Sequence, residues 1–384
     1  MADTRKSNYD KYPLVRVSSS HAECDIGWKA IAERLKGRTK SGRFVISVEC
    51  YPGCFEADIE RELVAALKPD KVLRASECLR PESEILSLCG HDLGDDPVFG
   101  FMNHYVVADF LDERKIGQKR DELKQVKGLT LVIGAGASVI AEAWDLLVYC
   151  DMARWEIQQR QRAGEIANLG LTNIAERPAL KYKRAFFVDW RAADRLKKML
   201  LARIDFLLDT NDRKTPKMIS GRDLTQGLEI TARRPFRVVP FFDPGPWGGQ
   251  WMKEVCDLPR DVENFAWCFD CVPEENSLRL GFGDAAVEIP SINLVFKHPR
   301  QLLGDAVHAR FGTEFPIRFD FLDTMDGGNL SFQVHPLTEY IQEQFGMAYT
   351  QDESYYMLDS KEDGCVYFGL KENIDRERDG FVQN

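Results

Sequence analysis

The sequence predicts two domains: a doubly wound α/β domain over residues 1–235 and an all-β domain over residues 236–384. In the first part, almost wholly apolar runs alternate with helical segments, as parallel strands buried on both faces do. Beyond Arg234 and Pro235 the pattern changes to short strands separated by Gly and Pro turns, which is typical of an all-β domain. The length of 384 residues and the hydrophobic content of 44% are sufficient for two or three cores.

Four apolar runs define the predicted strands of the α/β domain. They cover Phe44–Cys50, Lys71–Arg74, Leu129–Gly134 and residues 146–150. The helical segments predicted around them cover residues 25–35, Glu56–Leu67, residues 82–89 and residues 191–201. Gly42 and Pro52 bound the first run, and the apolar residues of the second helix lie on one stripe.

Charge and composition exclude several classes of function. The formal net charge is −10 and the sequence pI is about 5.3, which argues against general binding to nucleic acid or to an anionic membrane. No run approaches 18 apolar residues, and residues 1–6 lack the apolar core of a signal peptide. The ten cysteines are scattered, mostly in strand-like runs, which fits a reducing compartment. We therefore expect a cytoplasmic protein that binds neither nucleic acid nor membrane.

The order of elements in residues 1–235 loosely resembles that of uridine-kinase-like P-loop kinases. The loop after the first strand, residues 50–56, lacks the Walker A pattern, whose glycine N–H groups and lysine hold nucleotide phosphates. We therefore predict a kinase-like domain without a P-loop and without a functional ATP site. A second glycine loop, residues 134–138, has two explanations: it wraps a phosphate at a helix N-terminus, or it forms a tight turn.

A basic segment stands out from the acidic background. Residues 154–203 contain twelve Lys or Arg and five acidic residues, a net charge of +7. One interpretation is a site for a phosphate or another anion, with Lys181, Lys183 and Arg184 as substrate-binding residues on a strand-like segment. The other is a solvated helix face that pairs with acidic residues elsewhere in the chain.

A short motif in the second part predicts a metal site. The sequence Ser331-Phe332-Gln333-Val334-His335-Pro336 alternates apolar and polar residues, so Gln333 and His335 share one face if it is a β-strand. Glu353 follows 18 residues after His335. An amide oxygen, an imidazole and a carboxylate from two neighbouring strands suit a divalent ion such as zinc. The alternative is a buried polar pair that satisfies its own hydrogen bonds.

The motif belongs to a longer series of matches between residues 237 and 384. In chain order these are Pro246-Trp247-Gly248-Gly249, Leu302-Leu303-Gly304, Phe315-Pro316, Leu322-Asp323, the motif at 331–336, and Glu353. The series resembles type I phosphomannose isomerases, which are zinc-dependent cupins that interconvert mannose 6-phosphate and fructose 6-phosphate. The resemblance implies a cupin jelly roll that binds one Zn²⁺ through Gln333, His335 and Glu353, with Ser331 contacting the sugar-phosphate substrate.

The sequence differs from that family at several positions near the predicted site, and these differences lead to an alternative prediction. Asp320 and Gln351 replace two lysines that usually flank the site, and no histidine follows Glu353, where the family's fourth ligand would lie. We therefore expect a cupin that lacks its C-terminal half, and no catalytic residue is assigned. The alternative function is a non-catalytic regulatory protein that binds a sugar phosphate or a nucleotide. The two alternatives predict different outcomes for turnover of mannose 6-phosphate.

Overall fold

The structure is a computed structural model that describes residues 7–17, 23–362, 364–367 and 369. It is a mixed α/β protein with three β-sheets, and within these residues no sheet closes into a barrel. None of the helices in the described residues is long and apolar enough to cross a membrane. The cupin jelly roll therefore stays a prediction.

Seven strands form the largest sheet. They are β2 (Cys24–Ile26), β3 (Phe44–Cys50), β4 (Lys71–Arg74), β5 (Leu129–Gly134), β6 (Leu146–Asp151), β7 (Phe206–Asp209) and β8 (Lys217–Ser220). Their order across the sheet is β2-β8-β7-β6-β3-β5-β4, and the five strands from β7 to β4 are mutually parallel. β8 and β2 continue the sheet in antiparallel pairing.

Helices connect the parallel strands. They are α1 (Gly27–Arg38), α2 (Glu56–Leu67), α3 (Glu82–Leu93), α4 (Glu113–Gln125), α5 (Ala137–Ile140), α6 (Arg154–Arg162), α7 (Pro178–Arg184), α8 (Trp190–Leu200) and α9 (Gly221–Ala232). A π-helical turn, Ala185–Asp189, joins α7 to α8, and short 3₁₀ turns lie at Ala75–Cys78 and Val107–Phe110.

Local chemistry explains the boundaries of several elements. All seven residues of β3 are buried, because this strand lies in the middle of the sheet, and its bounds agree with the predicted run. α2 also has the predicted bounds and ends at Lys68, which adopts a left-handed conformation. The Asp112 side chain caps α4 by accepting hydrogen bonds from the N–H groups of Arg114 and Lys115.

The described residues after 236, together with β1, form two small sheets and four helices. β1 (Leu14–Arg16) pairs with β11 (Ser277–Phe282), which pairs with β12 (Ala285–Pro290). The other sheet joins β9 (Phe241–Asp243), β10 (Trp267–Cys271) and β13 (Phe319–Leu322), with β13 at one edge. The helices are α10 (Trp251–Val255), α11 (Ile292–Lys297), α12 (Pro299–Phe311), interrupted at Gly304, and α13 (Thr338–Phe345). This part is therefore mixed α/β in its described residues.

One hydrophobic core extends across the predicted domain boundary. The cluster that contains β3 and β6 also contains Leu278 and Leu280 of β11 and Val287 and Ile289 of β12. Val15 of β1 belongs to the same cluster. The hairpin of β11 and β12 therefore packs against the large sheet.

Candidate functional site

A cavity lies at the carboxyl ends of the parallel strands in the α/β part. Open α/β sheets bind ligands at this edge, where the chain reverses its direction of winding; here β3 lies between β5 and β6. The cavity has a volume of about 320 Å³, at the lower end of the range for small-molecule sites. The lining comes from the loop after β3, the start of α2, the loop 165–170 and Arg213.

Two carboxylates accept hydrogen bonds from backbone N–H groups of the glycine loop, residues 134–138. Glu49, near the end of β3, accepts hydrogen bonds from the N–H of Gly136 and from the N–H and hydroxyl of Ser138, each at 2.7 Å. Glu56, in the first turn of α2, accepts from the N–H of Ala135 at 3.0 Å. These are the groups that would cradle a phosphate, so the loop already binds anions that belong to the protein itself.

Burial perturbs both carboxylates. It raises the pKa of Glu49 to about 7, even though the hydrogen bonds from Gly136 and Ser138 oppose this shift. The pKa of Glu56 is also raised, chiefly by burial. Additional negative charge beside these two groups would be unfavourable, which argues against a nucleotide phosphate at this loop.

Two buried ion pairs lie beside the start of α6. The ammonium of Lys197 is 2.9 Å from Oδ1 of Asp151, and Asn293 of α11 donates to Oδ2 of the same carboxylate at 2.8 Å. Arg154 pairs with Asp194. These cations are fully buried and bind carboxylates within the protein, so they stabilise the junction between the large sheet and the C-terminal part.

The predicted anion-binding residues lie on a helix. Lys181, Lys183 and Arg184 belong to α7, so the prediction of a strand-like segment is wrong. Proline at the first helical position favours this helix, since its fixed φ suits the first turn.

Each of the three side chains contacts a different part of the backbone. The Lys181 ammonium donates to the carbonyl of Ile174 at 2.9 Å, and the Lys183 ammonium donates to the carbonyls of Leu93 and Asp96. Arg184 donates to the carbonyl of Leu169 at 3.2 Å. All three are buried and hold loops in place, and their predicted role in binding substrate stays a prediction.

The second candidate site lies in the C-terminal part. His335 and Glu353 are in direct contact, with 2.7 Å between Nε2 of the imidazole and Oε2 of the carboxylate. The amide of Gln351 donates to the same oxygen at 3.3 Å. Tyr355 interacts with the Glu353 carboxylate, and burial together with this interaction raises the pKa of Tyr355 to about 12. We call these four residues the His335–Glu353 cluster.

Asp320 of β13 adds a second carboxylate close to this cluster. Burial raises the pKa of Asp320, and the negative charge of Glu353 raises it further. The Glu353 carboxylate is therefore in contact with the His335 imidazole and within electrostatic range of Asp320. Carboxylate and imidazole are donor types that zinc and related divalent cations accept.

The other two residues predicted for this site, Ser331 and Gln333, lie outside the helices and strands of the described chain. Ser331 and Gln333 are exposed, and residues 328–337 form neither helix nor strand, so the predicted strand through the motif is wrong. A strand needs a hydrogen-bonding neighbour, and in the described part of the chain none pairs with this segment. The side chain of Leu337 is 77% exposed, so the segment is not packed into the core.

A preorganised metal centre is not part of this structure. No three His, Cys, Asp or Glu side chains of the described residues form a group that could hold a metal ion. Binding would therefore require His335 and Glu353 to separate and admit the ion, with Asp320 or Gln333 as a further donor. The predicted ligands Gln333, His335 and Glu353 are brought together only in part.

Fold and cavity define a mixed α/β protein with a ligand-sized space at the carboxyl edge of a parallel sheet. Residues 27–233 match a family described as a domain of unknown function, DUF8485. Since this match covers more than half of the chain, the protein belongs to the DUF8485 family. No curated protein matches the chain.

Sequence reasoning missed the roles of Glu49 and Lys197. Glu49 is the only charged residue in the run Phe44–Cys50, and a lone carboxylate in a buried strand needs donors. Lys197 lies on the buried face of α8, beside Ala193 and Leu200. These two signals could have located both buried networks.

Proposed function

We propose that the chain acts on a sugar phosphate as a metal-assisted aldose–ketose isomerase of the phosphomannose isomerase type. The observation that carries this proposal is the contact of 2.7 Å between His335 and Glu353. These residues are 18 positions apart, on two irregular segments, and the resemblance to type I phosphomannose isomerases implies that both are metal ligands. The nearby Asp320 carboxylate adds to the support.

The donor set fits zinc. Imidazole nitrogen and carboxylate oxygen are ligands that zinc accepts in catalytic sites, where three protein ligands leave a position open. Zinc bound there would supply a Lewis acid for the substrate carbonyl and for the negative charge that develops during the proton shift. The residues that would hold it are His335 and Glu353, with Gln333 or Asp320 as the third ligand.

Proton transfer between the two carbons of the substrate requires a group that takes up and returns a proton. Tyr355 of the His335–Glu353 cluster and the nearby Asp320 both have raised pKa values. A raised pKa brings a carboxyl group closer to neutral pH, where it exchanges protons more effectively. With Gln333 as the third ligand, Asp320 is free to take up the proton and is the better candidate for this role.

The proposal is tested by turnover of mannose 6-phosphate in the presence of Zn²⁺, with fructose 6-phosphate as the measured product. His335→Ala and Glu353→Gln should each lower turnover by about 100-fold or more, since each removes a ligand. Zinc content of the purified variants, measured by elemental analysis, should fall in parallel. His91→Ala is the matched control, because the His91 side chain is 94% exposed on α3.

Two results would contradict the isomerase proposal. One is the absence of turnover in wild-type protein that contains bound zinc. The other is equal zinc content in wild type and His335→Ala, which would mean that the His335–Glu353 contact is a structural hydrogen bond.

The cavity at the carboxyl edge favours a second candidate, a regulatory protein that binds a ligand without turnover. Arg213 borders the cavity with a side chain that is 57% exposed, and its guanidinium pairs with Asp58 and lies 4.5 Å from the centre of the Phe55 ring. This cation could meet the phosphate of a sugar phosphate away from the glycine loop.

Thermal unfolding with mannose 6-phosphate separates the two candidates. Stabilisation that is lost in Arg213→Ala, combined with no turnover, supports the regulatory protein. Stabilisation that is lost in His335→Ala and kept in Arg213→Ala supports the isomerase. Lys214→Ala, in the adjacent position of the same loop, is the control for a nonspecific loss of positive charge.

A further inference from the structure

Exposed apolar side chains are concentrated in one region of the C-terminal part. Of the twenty large apolar or aromatic side chains that are exposed in the described residues, ten lie between residues 317 and 358. They include Phe319 (50% exposed), Val334 (71%) and Tyr356 (85%). We define the acidic apolar face as the exposed side chains of residues 317–320, 332–340 and 353–358. An apolar concentration of this kind marks an interaction site in a folded protein.

The three segments of the face lie together. His335 and Glu353 are in contact, and the hydroxyl of Thr350 donates to the carbonyl of Pro336. Asp320 of β13 is close enough to Glu353 for the charge of one carboxylate to affect the other. Residues from β13, from the irregular segment before α13 and from the segment after it therefore form one surface.

The backbone at this surface is suited to pairing. β13 is an edge strand, bonded to β10 on one side, and among the described residues no strand pairs with its other side. Edge strands with exposed apolar side chains accept an additional strand from a partner, because their free N–H and C=O groups form a ready ladder. Ile317 and Phe319, two positions apart, would both contact a strand added there.

Charge identifies the kind of partner. Residues 317–362 contain nine acidic and two basic residues, a net charge of −7. A second copy of the chain would bring the same negative face against it. Six of the twelve cations in the basic segment of residues 154–203 are buried, and the exposed ones are Arg162, Arg177, Lys198 and Arg203, too few to match a charge of −7. A partner must therefore carry its own positive charge.

We propose that the acidic apolar face binds an extended, basic and apolar segment of another polypeptide, which adds a strand to the free edge of β13. Main-chain hydrogen bonds supply part of the affinity, and alternating side chains of the partner contact Phe319 and Val334. The positive side chains on its other face are attracted by the surrounding carboxylates. The proposal is independent of any catalytic role of His335 and Glu353.

The test uses the full chain and a fluorescein-labelled peptide of about ten residues in which Arg and Val alternate. Fluorescence anisotropy measures its binding, in parallel with a peptide of alternating Glu and Val and with an Arg–Val peptide in which two central Val are Pro. We expect the Arg–Val peptide alone to bind, since the Glu residues are repelled and Pro removes ladder hydrogen bonds.

Variants separate apolar contact from charge attraction. Phe319→Glu and Val334→Glu add negative charge to the face, so they would tighten a purely electrostatic complex. We expect each to weaken binding by about tenfold, because the apolar contact is lost. Met199→Glu is the control, since Met199 is 63% exposed on α8, away from this face. Val334 lies in an irregular segment, so its variant tests the proposal even if Phe319→Glu fails to fold.

Three outcomes would overturn the proposal. The first is no binding of the Arg–Val peptide at concentrations up to about 100 μM. The second is equal binding of the Pro-containing peptide, or equal binding by the Glu variants, since either would mean nonspecific charge attraction. The third is a dimer of the wild-type chain in sedimentation that Phe319→Glu converts to a monomer, because the face would then belong to a second copy.

Discussion

Glu49 has an environment that gives the stability of the protein a defined pH dependence. Burial raises its pKa to about 7, above the ordinary value of 4.5. The folded protein thus holds this proton more tightly than the unfolded chain does, so Glu49 lowers the free energy of unfolding as pH rises from about 4.5 to 7. Across this window wild type should lose about 3 kcal/mol more than Glu49→Gln, measured by urea unfolding.

Burial raises the pKa values of other carboxyl groups as well, including Glu56 and Asp209, so the comparison rests on the difference between the two profiles. Glu142→Gln is the matched control, because the Glu142 side chain is 69% exposed and pairs only at the surface with Arg120. Profiles of wild type and Glu49→Gln that run parallel between pH 4.5 and 7 would show that Glu49 keeps its ordinary pKa.

Lys197 and Lys198 are neighbours in sequence with opposite environments. Lys197 is fully buried against Asp151, whereas Lys198 is exposed. Removing one partner of a buried ion pair leaves an uncompensated charge, so Lys197→Ala should lower the free energy of unfolding by about 3–5 kcal/mol. Lys198→Ala should change it by less than about 1 kcal/mol. Chemical denaturation of both variants measures the difference.

Equal stability of the two variants would contradict the buried pair. A second check is Asp151→Asn combined with Lys197→Ala, which should cost less than the sum of the two single substitutions, because the second removal no longer strands a charge.

At the scale of elements, backbone N–H groups of the glycine loop after β5 already donate hydrogen bonds to carboxylates of the protein. Ala135, Gly136 and Ser138 donate to Glu56 and Glu49, so a nucleotide phosphate would have to displace two carboxylates. We expect calorimetric titration with Mg·ATP to give no binding heat at micromolar protein. Glu49→Ala is the informative comparison, since it frees two N–H groups. Binding of Mg·ATP to wild type at micromolar concentration would contradict the prediction that the domain has no functional ATP site.

The central strands of the large sheet were predictable because they lie between other strands. β3 and β5 have the predicted bounds, since a strand that is buried on both faces is mostly apolar. β4 also has the predicted bounds, although it lies at the edge of the sheet and contains Lys71 and Arg74.

The segment around His335 has a strand-like alternation but lacks a neighbour in the described residues, and sequence alternation alone does not supply one. α7 was predicted to be strand-like because its buried residues are Lys181, Lys183 and Arg184. Its inward face therefore does not stand out as apolar in the sequence.

The candidate site was predictable to a smaller extent. His335 and Glu353 are in direct contact, while Gln333 lies on an exposed segment, and the role of all three as metal ligands stays a prediction. The cavity was not anticipated, because it is formed by loops that are far apart in sequence, such as residues 52–58 and 165–170. Spacing along the chain carries no information about how such loops approach one another.

At the scale of the whole molecule, the shared core predicts a single unfolding transition. Leu280 of β11 is fully buried in the cluster that includes the large sheet, and it lies against Gly227 of α9. Leu280→Ala should lower the free energy of unfolding by about 2–5 kcal/mol and shift the whole transition. Calorimetry and tryptophan fluorescence should report the same midpoint.

Leu86→Ala is the control for Leu280→Ala, because Leu86 is 48% exposed on α3. Two transitions in wild type, of which Leu280→Ala shifts only one, would show that residues before and after 236 unfold independently.

The pairing of β1 with β11 joins two segments that both lie outside the region that matches the family. β1 precedes the region that matches the family and β11 follows it, and the two run side by side with Leu14 opposite Arg279. This pairing links the segment before the family domain to the segment after it. An expression fragment trimmed to residues 27–233 would lose both strands, and with them Val17 and Leu280, whose side chains lie against Gly227. Fragments intended for binding studies should therefore begin before residue 14 and extend beyond β12.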